Sequence, residues 1–483
     1  MERRASNQLI RIIGMLVLLN AIDSPAQIYQ TLHNFAATSR DGYSPLTDLV
    51  LVSNTLYGTT ASGGTNGNGT IFKINTDGTG YGILRSLTNS PSPEGGMVSI
   101  GNTLYGTMFT GGAADNGSIF KIDTDAGGYA ELYSFSATVP SVFGTNSDGN
   151  RPQSALVTDG YTLYGTAHYG GANGNGTIFK INTDGLGFTV IKTFSPTFLG
   201  TNNVSGNILV TSGTNIDGAY PIGGLVLDGS TLYGTTFKGG LSNGVVFAVQ
   251  TDGNDYRVLK YFSGLNGIGT NGDGAAPIAG LTLSGDTLYG VTVGGGAGAA
   301  GNVFKLQTNG AAFVNLHDFA FSEGAFPRNA LLLDGSTLYG TTAAGGESNK
   351  GTIFAIQTNG ADFTILKHFN SSIGTQCDSK FVLSSNVLFG TASSGGSNGA
   401  GVVFGLTVLP RILNDHNLGV RSNAFGFDFS GISNQPAVIE FSPGLAQPAW
   451  APVQTNLLNG SPQYFFDNAY SQHVNGFYRI RSP

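Results

Sequence analysis

Five acid–glycine pairs could, on residue type alone, supply the carboxylates of a sugar-cleaving site. They are Asp41-Gly42, Asp148-Gly149, Asp217-Gly218, Asp273-Gly274 and Glu323-Gly324, each lying three to four residues ahead of Pro45, Pro152, Pro221, Pro277 or Pro327. Glycoside cleavage needs two carboxyl groups in different surroundings, one to protonate and one to attack or activate water. An acid that returns five times in one local context is instead a turn former. Glu94, Asp115 and Glu347 stand outside that context, but they fall on separate connections of a repeated chain, which can set them far apart in space, so they make a poor catalytic pair. Gly296-Ala297-Gly298-Ala299-Ala300-Gly301 fits a dinucleotide fingerprint literally, but it is expected between two strands and opens no helix. Asp123-Thr124-Asp125 resembles the start of a calcium loop, yet its copies read Asn75-Thr76-Asp77 and Gln250-Thr251-Asp252, which is turn chemistry again. His33, His317 and His368 recur near the end of one repeated segment, and no histidine pair has zinc spacing. The residues therefore predict no catalytic group, no metal ligand and no cofactor, and the expectation is a protein that is not an enzyme.

These near misses share a cause: the chain repeats itself. Leu-Tyr-Gly or Leu-Phe-Gly recurs seven times, anchored at Tyr57, Tyr105, Tyr164, Tyr233, Tyr289, Tyr339 and Phe389, at spacings of 48, 59, 69, 56, 50 and 50 residues. Each block carries four short apolar stretches separated by Gly, Asn, Asp and Ser, the pattern of strands joined by turns. In the fourth block they run approximately 224–227, 231–236, 245–250 and 256–262. Four strands in a period of this length are the signature of a propeller blade. The seventh block lacks a fourth stretch, and the missing copy is Ile28 to Phe35 at the other end of the chain. The expected fold is all-β: a seven-bladed β-propeller of four-stranded blades closed by the N-terminal strand, followed by a small β-sandwich.

Composition agrees. Charged residues are 11% of the chain against roughly 25% in an ordinary soluble domain, and Gly numbers 75 of 483. Blades that bury both faces need few charges, and close backbone approach explains Gly58 and its copies. The net charge of −7 is scattered and leaves no basic stripe, so nucleic acid is not an expected partner. Arg3, Arg4 and Arg11 precede an apolar run from Ile12 to Ile22 and the small residues Ser24-Pro25-Ala26, which predicts an export signal over 1–26. That run is too short to span a membrane, so no stable span is expected once the signal is removed. The lone Cys377 can form no disulfide within the chain and reads as a small buried hydrophobe. The propeller is expected over 27–409 and the C-terminal module over 410–483. The module's strands are expected at 425–429, 437–441, 450–454, 463–466 and 477–480, with Trp450 as a core anchor.

Strand direction tells where function would sit. In a four-stranded meander, the connection between strands two and three emerges on the same face as the connection between blades. The opposite face carries only tight turns. The longest connections, 136–154, 195–223 and 263–279, enter blades three, four and five. The dipeptide before each Gly-Gly is bulky or polar-aromatic only in blades two to four: Phe109-Thr110, His168-Tyr169 and Phe237-Lys238. Phe109, His168, Tyr169, Phe237 and Lys238 are thus the predicted binding residues, since aromatic faces with adjoining donors suit a sugar ring or a peptide segment.

The ordered motif Leu-Tyr-Gly-Thr-Thr, Gly-Gly, Gly-Thr-Ile-Phe-Lys-Ile, Thr-Asp-Gly over 28–408 resembles the GloVer tandem repeats of exported bacterial proteins, notably of verrucomicrobial and related lineages. The tail from Phe425, with Trp450 and Phe477-Tyr478-Arg479, is similar to a C-terminal module common in such proteins. The resemblance implies a propeller and export, and it brings no established activity and no catalytic residues. No terminal hydrophobic helix followed by Arg is visible, so a surface anchor is not expected. The function expected is that of a secreted or cell-surface monomer that binds a polysaccharide or a cell-surface protein. An extracellular polysaccharide-active hydrolase or lyase is the alternative, and a structural spacer the third reading.

Overall fold

A computed structural model describes residues 27–482, apart from 37–40, 89–91, 140–143, 197–201, 205–207, 211–214, 414–418, 422–423, 444–448 and 469–476. The predicted export signal lies outside the described residues. Among the described residues there is no helix, and no helix long and apolar enough to cross a membrane.

The chain builds a repeat β-propeller from seven four-stranded antiparallel sheets, six of them meanders whose strands follow chain order. The fourth sheet consists of Val226–Asp228, Thr231–Thr236, Val245–Gln250 and Arg257–Tyr261. The two middle strands match the sequence reading, and the outer two are a residue or two shorter. The last strand of each sheet carries the same irregularity, as between Val246 and Phe247 or between Ile353 and Phe354. A bulge bends the strand and strengthens its twist, which suits a sheet that must lie against a neighbour on each side.

The repeated Leu-Tyr-Gly is explained by packing. Leu338 and Tyr339 are buried, and a Cβ on Gly340 would stand 2.5 Å from Phe354 Cζ and 2.7 Å from Leu331 Cδ2. The ring of the adjacent strand occupies the space any side chain would need. Core clusters run between sheets rather than within them: Tyr233, Phe262, Leu281 and Phe304 from two successive repeats form one.

Ile28–Asn34 pairs antiparallel with Val402–Thr407, Ile28 opposite Thr407 and Asn34 opposite Val402. The first strand thus completes the last sheet, as the missing copy predicts. Further bonds join the two ends: Ser44 N–H to Ala400 O at 3.0 Å, and Lys380 N–H to Asp48 Oδ1 at 2.7 Å.

The recurring acids have a definite task. Asp217 accepts from Lys192 Nζ at 2.6 Å, from Ser195 Oγ at 2.9 Å and from Ser195 N–H at 3.1 Å. Asp273 repeats this with Lys260 and Ser263, Asp148 with Tyr133 and Ser136, and Asp41 with His33 and Ala36. Each carboxylate ties the end of one sheet to the start of the next connection. His33 and His317 lie flat on Tyr81 and Phe363, with ring centroids 3.6 and 3.8 Å apart. Gly296 to Gly301 connects the strands Thr287–Thr292 and Asn302–Gln307, and Asp125 accepts from Gly127 N–H at 2.9 Å inside a turn. Cys377 is buried, which pushes its thiol up to about 12.

Beyond the repeats, Ala424–Ser430 pairs with Arg411–Ile412, Gly419–Arg421 and Gln463–Asp467, while Pro436–Ser442 lies between Ala451–Leu457 and Phe477–Arg481. Phe425, Phe427, Phe429, Phe465, Tyr478 and Ile480 form its core. Trp450 is not among them: it is half-buried, with the Arg479 guanidinium 4.4 Å above its ring. The indole is a large amphipathic ring that suits a cation at a wet boundary. The module sits on a tight turn of the sixth repeat, where Ser433 N–H donates to Asp334 Oδ2 at 2.7 Å and Thr337 Oγ1 to Gly460 O at 2.9 Å. These contacts lie on the tight-turn side of that repeat.

Candidate functional site

The face opposite the C-terminal module is built from two layers of connections joined by backbone bonds. The residue just ahead of each recurrent proline accepts a bond from the residue that begins the variable dipeptide: His168 N–H to Arg151 O at 3.2 Å, Phe237 N–H to Tyr220 O at 3.0 Å. Its own N–H reaches back to the preceding repeat, from Arg151 to Asn116 O at 2.8 Å and from Tyr220 to Asn175 O at 2.9 Å. Arg151 and Tyr220 hold φ of 58° and 62°, and Ser44, Ala276 and Phe326 share that geometry. A bulky residue in the left-handed region ahead of proline is unfavourable by itself. The two backbone bonds fix it, so different side chains leave the scaffold at equivalent points.

The sequence-predicted residues come together in part. His168 stacks on Tyr169 with ring centroids 3.8 Å apart. Phe109 joins them through Arg151, whose guanidinium stands 4.8 Å above its ring. Tyr220 fills the other side, 5.8 Å from His168 and 5.5 Å from Tyr169. Phe237 is bonded through its backbone to Tyr220 and carries Lys238 Nζ 4.7 Å above its ring. The five are half-buried except Lys238, which is exposed. The result is a continuous run from Phe109 to Lys238 across three repeats, with Arg151 and Tyr220 as members that the dipeptide pattern did not reveal. Their signal was available: each is the odd residue between a recurring Asp-Gly and a recurring Pro.

His168 is half-buried beside the Arg151 guanidinium; desolvation first, and that charge second, push its imidazole down to about 4. It is neutral at pH 7. The unfolded chain binds its proton near 6.5 and the folded one does not, so stability falls as pH drops from about 6.5 to about 4. The loss is on the order of 3 kcal/mol across that window. Denaturation midpoints measured from pH 7 to pH 4 should fall in the native protein and fall less in His168→Phe, which keeps a ring to stack on Tyr169.

A second feature lies at the centre. A cavity of about 460 Å³ is lined by residues from all seven repeats. Asp48, Glu94, Gln153, Arg328, Asp378 and Lys380 line it from the first, second, third, sixth and seventh repeats, and Ile222 and Ile278 from the fourth and fifth. Burial holds the Asp48, Glu94 and Asp378 carboxyls above the usual carboxylate range, opposed by Lys380, by Ser92 and Arg151, and by Arg328 respectively. Gln153 Nε2 donates to Glu94 Oε2 at 2.9 Å. Because Arg151 acts on both Glu94 and His168, the cavity and the aromatic run are neighbours. Apart from Glu94 these residues were not singled out in the sequence, although charge stands here where the other repeats carry Leu, Ile, Gly or Ala. Among the described residues no group of three or more His, Cys, Asp or Glu could hold a metal ion.

A family model described as the Gloeobacter/Verrucomicrobia repeat matches residues 18–214 and 268–414. No curated protein matches in sequence. Among solved structures, the chain is similar to an oligogalacturonate lyase from Vibrio parahaemolyticus at 11% identity and a TM-score of 0.47, over 80% of this chain and 98% of that one. It is similar to a putative 6-phosphogluconolactonase from Bacteroides uniformis at 15% identity and a TM-score of 0.43, over 86% and 98% of the two chains. It is similar also to BamB from Moraxella catarrhalis at 13% identity and a TM-score of 0.42, over 79% and 97%.

Proposed function

Since this chain belongs to the Gloeobacter/Verrucomicrobia repeat family, we propose that it is an exported, non-enzymatic binding protein. In this reading its seven sheets are the blades of a closed seven-bladed propeller, and its last two sheets are a small sandwich that caps the face away from the ligand. The ligand is a polysaccharide strand held outside the cell or at its surface, lying along the aromatic run. The continuity of that run from Phe109 through Arg151, His168, Tyr169 and Tyr220 to Phe237 and Lys238 carries the proposal. Aromatic faces take the apolar faces of sugar rings, and the interleaved Arg and Lys supply donors to hydroxyls.

The cavity carboxylates favour a second reading, an enzyme acting on extracellular polysaccharide. Burial shifts these carboxyls toward the protonated form, the direction in which a general acid is tuned. One screen separates the two. The purified protein is presented to plant and algal polysaccharides, and both retention and chain shortening are measured. Retention that drops at least tenfold in a Tyr169→Ala, Phe237→Ala double variant of unchanged thermal midpoint, with no new chain ends, is the expected result. New chain ends released by the native protein would establish the enzyme instead. Binding that survives the double variant would sink the aromatic-run proposal.

A further inference from the structure

The central cavity is more than the hole left by a ring of sheets. Its lining is divided. Asp378 and Lys380, Asp48, Glu94 and Arg328 come from the sixth, seventh, first and second repeats, which are consecutive around the ring. The fourth and fifth repeats contribute Ile222, Gly224, Ile278 and Gly280. One wall is charged with both signs and the facing wall is aliphatic. At equivalent positions a repeat protein could carry one small residue throughout, so the division belongs to these residues and not to the scaffold.

The charged wall alternates acceptors and donors. Carboxylates only accept hydrogen bonds, whereas Arg and Lys only donate. A simple cation would meet Arg328 and Lys380, and a simple anion would meet three carboxyls. A group that both donates and accepts meets neither conflict, and a hydroxyl is such a group. Capacity for it exists on the protein side: among the described residues, Asp378 Oδ2 accepts one long bond of 3.5 Å, from Ser393 Oγ, and Oδ1 has no hydrogen-bond partner. Arg328 is exposed, and its charge acts on Asp378. A ligand with hydroxyls on one side and C–H groups on the other would satisfy both walls, and a pyranose ring is built that way. The volume of about 460 Å³ falls in the range of small-molecule sites.

We propose that the central cavity is a binding site for a neutral pyranose, its hydroxyls on Asp48, Glu94, Arg328, Asp378 and Lys380 and its C–H face on Ile222 and Ile278. This site is separate from the aromatic run and does not depend on it. The wall carries three acids and two bases, so an acidic sugar is disfavoured.

The test uses the full chain and saturation-transfer NMR with methyl pyranosides of glucose, galactose, mannose and xylose as probes. Glycine, glucuronate and putrescine serve as zwitterionic, anionic and cationic competitors. At least one neutral pyranoside is expected to bind with a dissociation constant in the millimolar range, as its size allows. Arg328→Ala, at an exposed position, should weaken that binding at least tenfold. Ile222→Trp, which fills the cavity, should abolish it, and should its near-ultraviolet circular dichroism depart from native, Arg328→Ala alone decides. Tyr169→Ala should leave it unchanged. The proposal is overturned if no neutral pyranoside binds, if a charged probe binds in its place, if binding survives Arg328→Ala, or if Tyr169→Ala removes it.

Discussion

Replacing Phe35 by alanine should lower unfolding stability by about 3–5 kcal/mol, as large aromatic deletions in well-packed cores do. Phe35 is fully buried, with Phe72 at 5.3 Å in an edge-on pair and Val403, Leu49 and Phe389 in the same cluster. It sits immediately after the strand that completes the last sheet, and its N–H donates to Gly401 O at 3.0 Å. The cavity would thus open at the one junction where the chain's two ends are joined by hydrogen bonds and not by peptide linkage. Ile28, at the start of the same strand, is 57% exposed, and Ile28→Ala should cost under about 0.5 kcal/mol. Guanidinium denaturation followed by near-ultraviolet circular dichroism measures both. A loss below about 1 kcal/mol for Phe35→Ala would mean that the first strand is an ornament of the last sheet and not its clasp.

Asp217→Ala should cost a similar amount, about 3–5 kcal/mol, by a different route. The Asp217 side chain is 8% exposed and that of Lys192 is 21% exposed, so removing the carboxylate strands a mostly buried ammonium. It also orphans the N–H and hydroxyl of Ser195, which both donate to Asp217. Breaking such a pair from one side is far worse than never having had it. Asp217→Asn keeps an acceptor for Ser195 and should lose less. The same denaturation assay reads the pair, and equal losses for the two variants would show that charge, not hydrogen bonding, holds the connection. A role in catalysis would show itself otherwise, as lost activity at unchanged stability.

The two predictions also mark how far the residues alone could be read. Ile28 to Phe35 was recognisable as the absent fourth strand because its spacing copies that of Val258 to Phe262 and Ile365 to Phe369. Repetition turned a weak strand signal into a strong one. The recurring Asp-Gly could be read as structural but not as a bond to Lys192 or His33, since the partner lies in the preceding repeat. His168, Tyr169 and Phe109 stood out because their repeats depart from a bland dipeptide. Arg151 and Tyr220 did not, because a residue ahead of proline is read as extended, whereas both sit at positive φ. Asp48, Asp378, Arg328 and Lys380 were missed for a geometric reason. Seven positions some fifty residues apart become one wall only when the sheets are set around an axis. Trp450 misled in the opposite sense: its size suggested a core, and a cation at its face keeps it at the edge.

The bond between the first strand and the last sheet has a consequence in time. Ile28–Asn34 is made first and can pair only when Val402–Thr407 has been made. At 5–20 residues per second, the intervening stretch of about 370 residues takes on the order of 20 to 75 s. Throughout that interval the nascent chain carries an unpaired strand at one end and a growing, unpaired sheet edge at the other, each a template for any other extended segment. A handling factor that shields the newly made N-terminal strand until synthesis ends would therefore matter more to the yield of this protein than any aid to the repeats between.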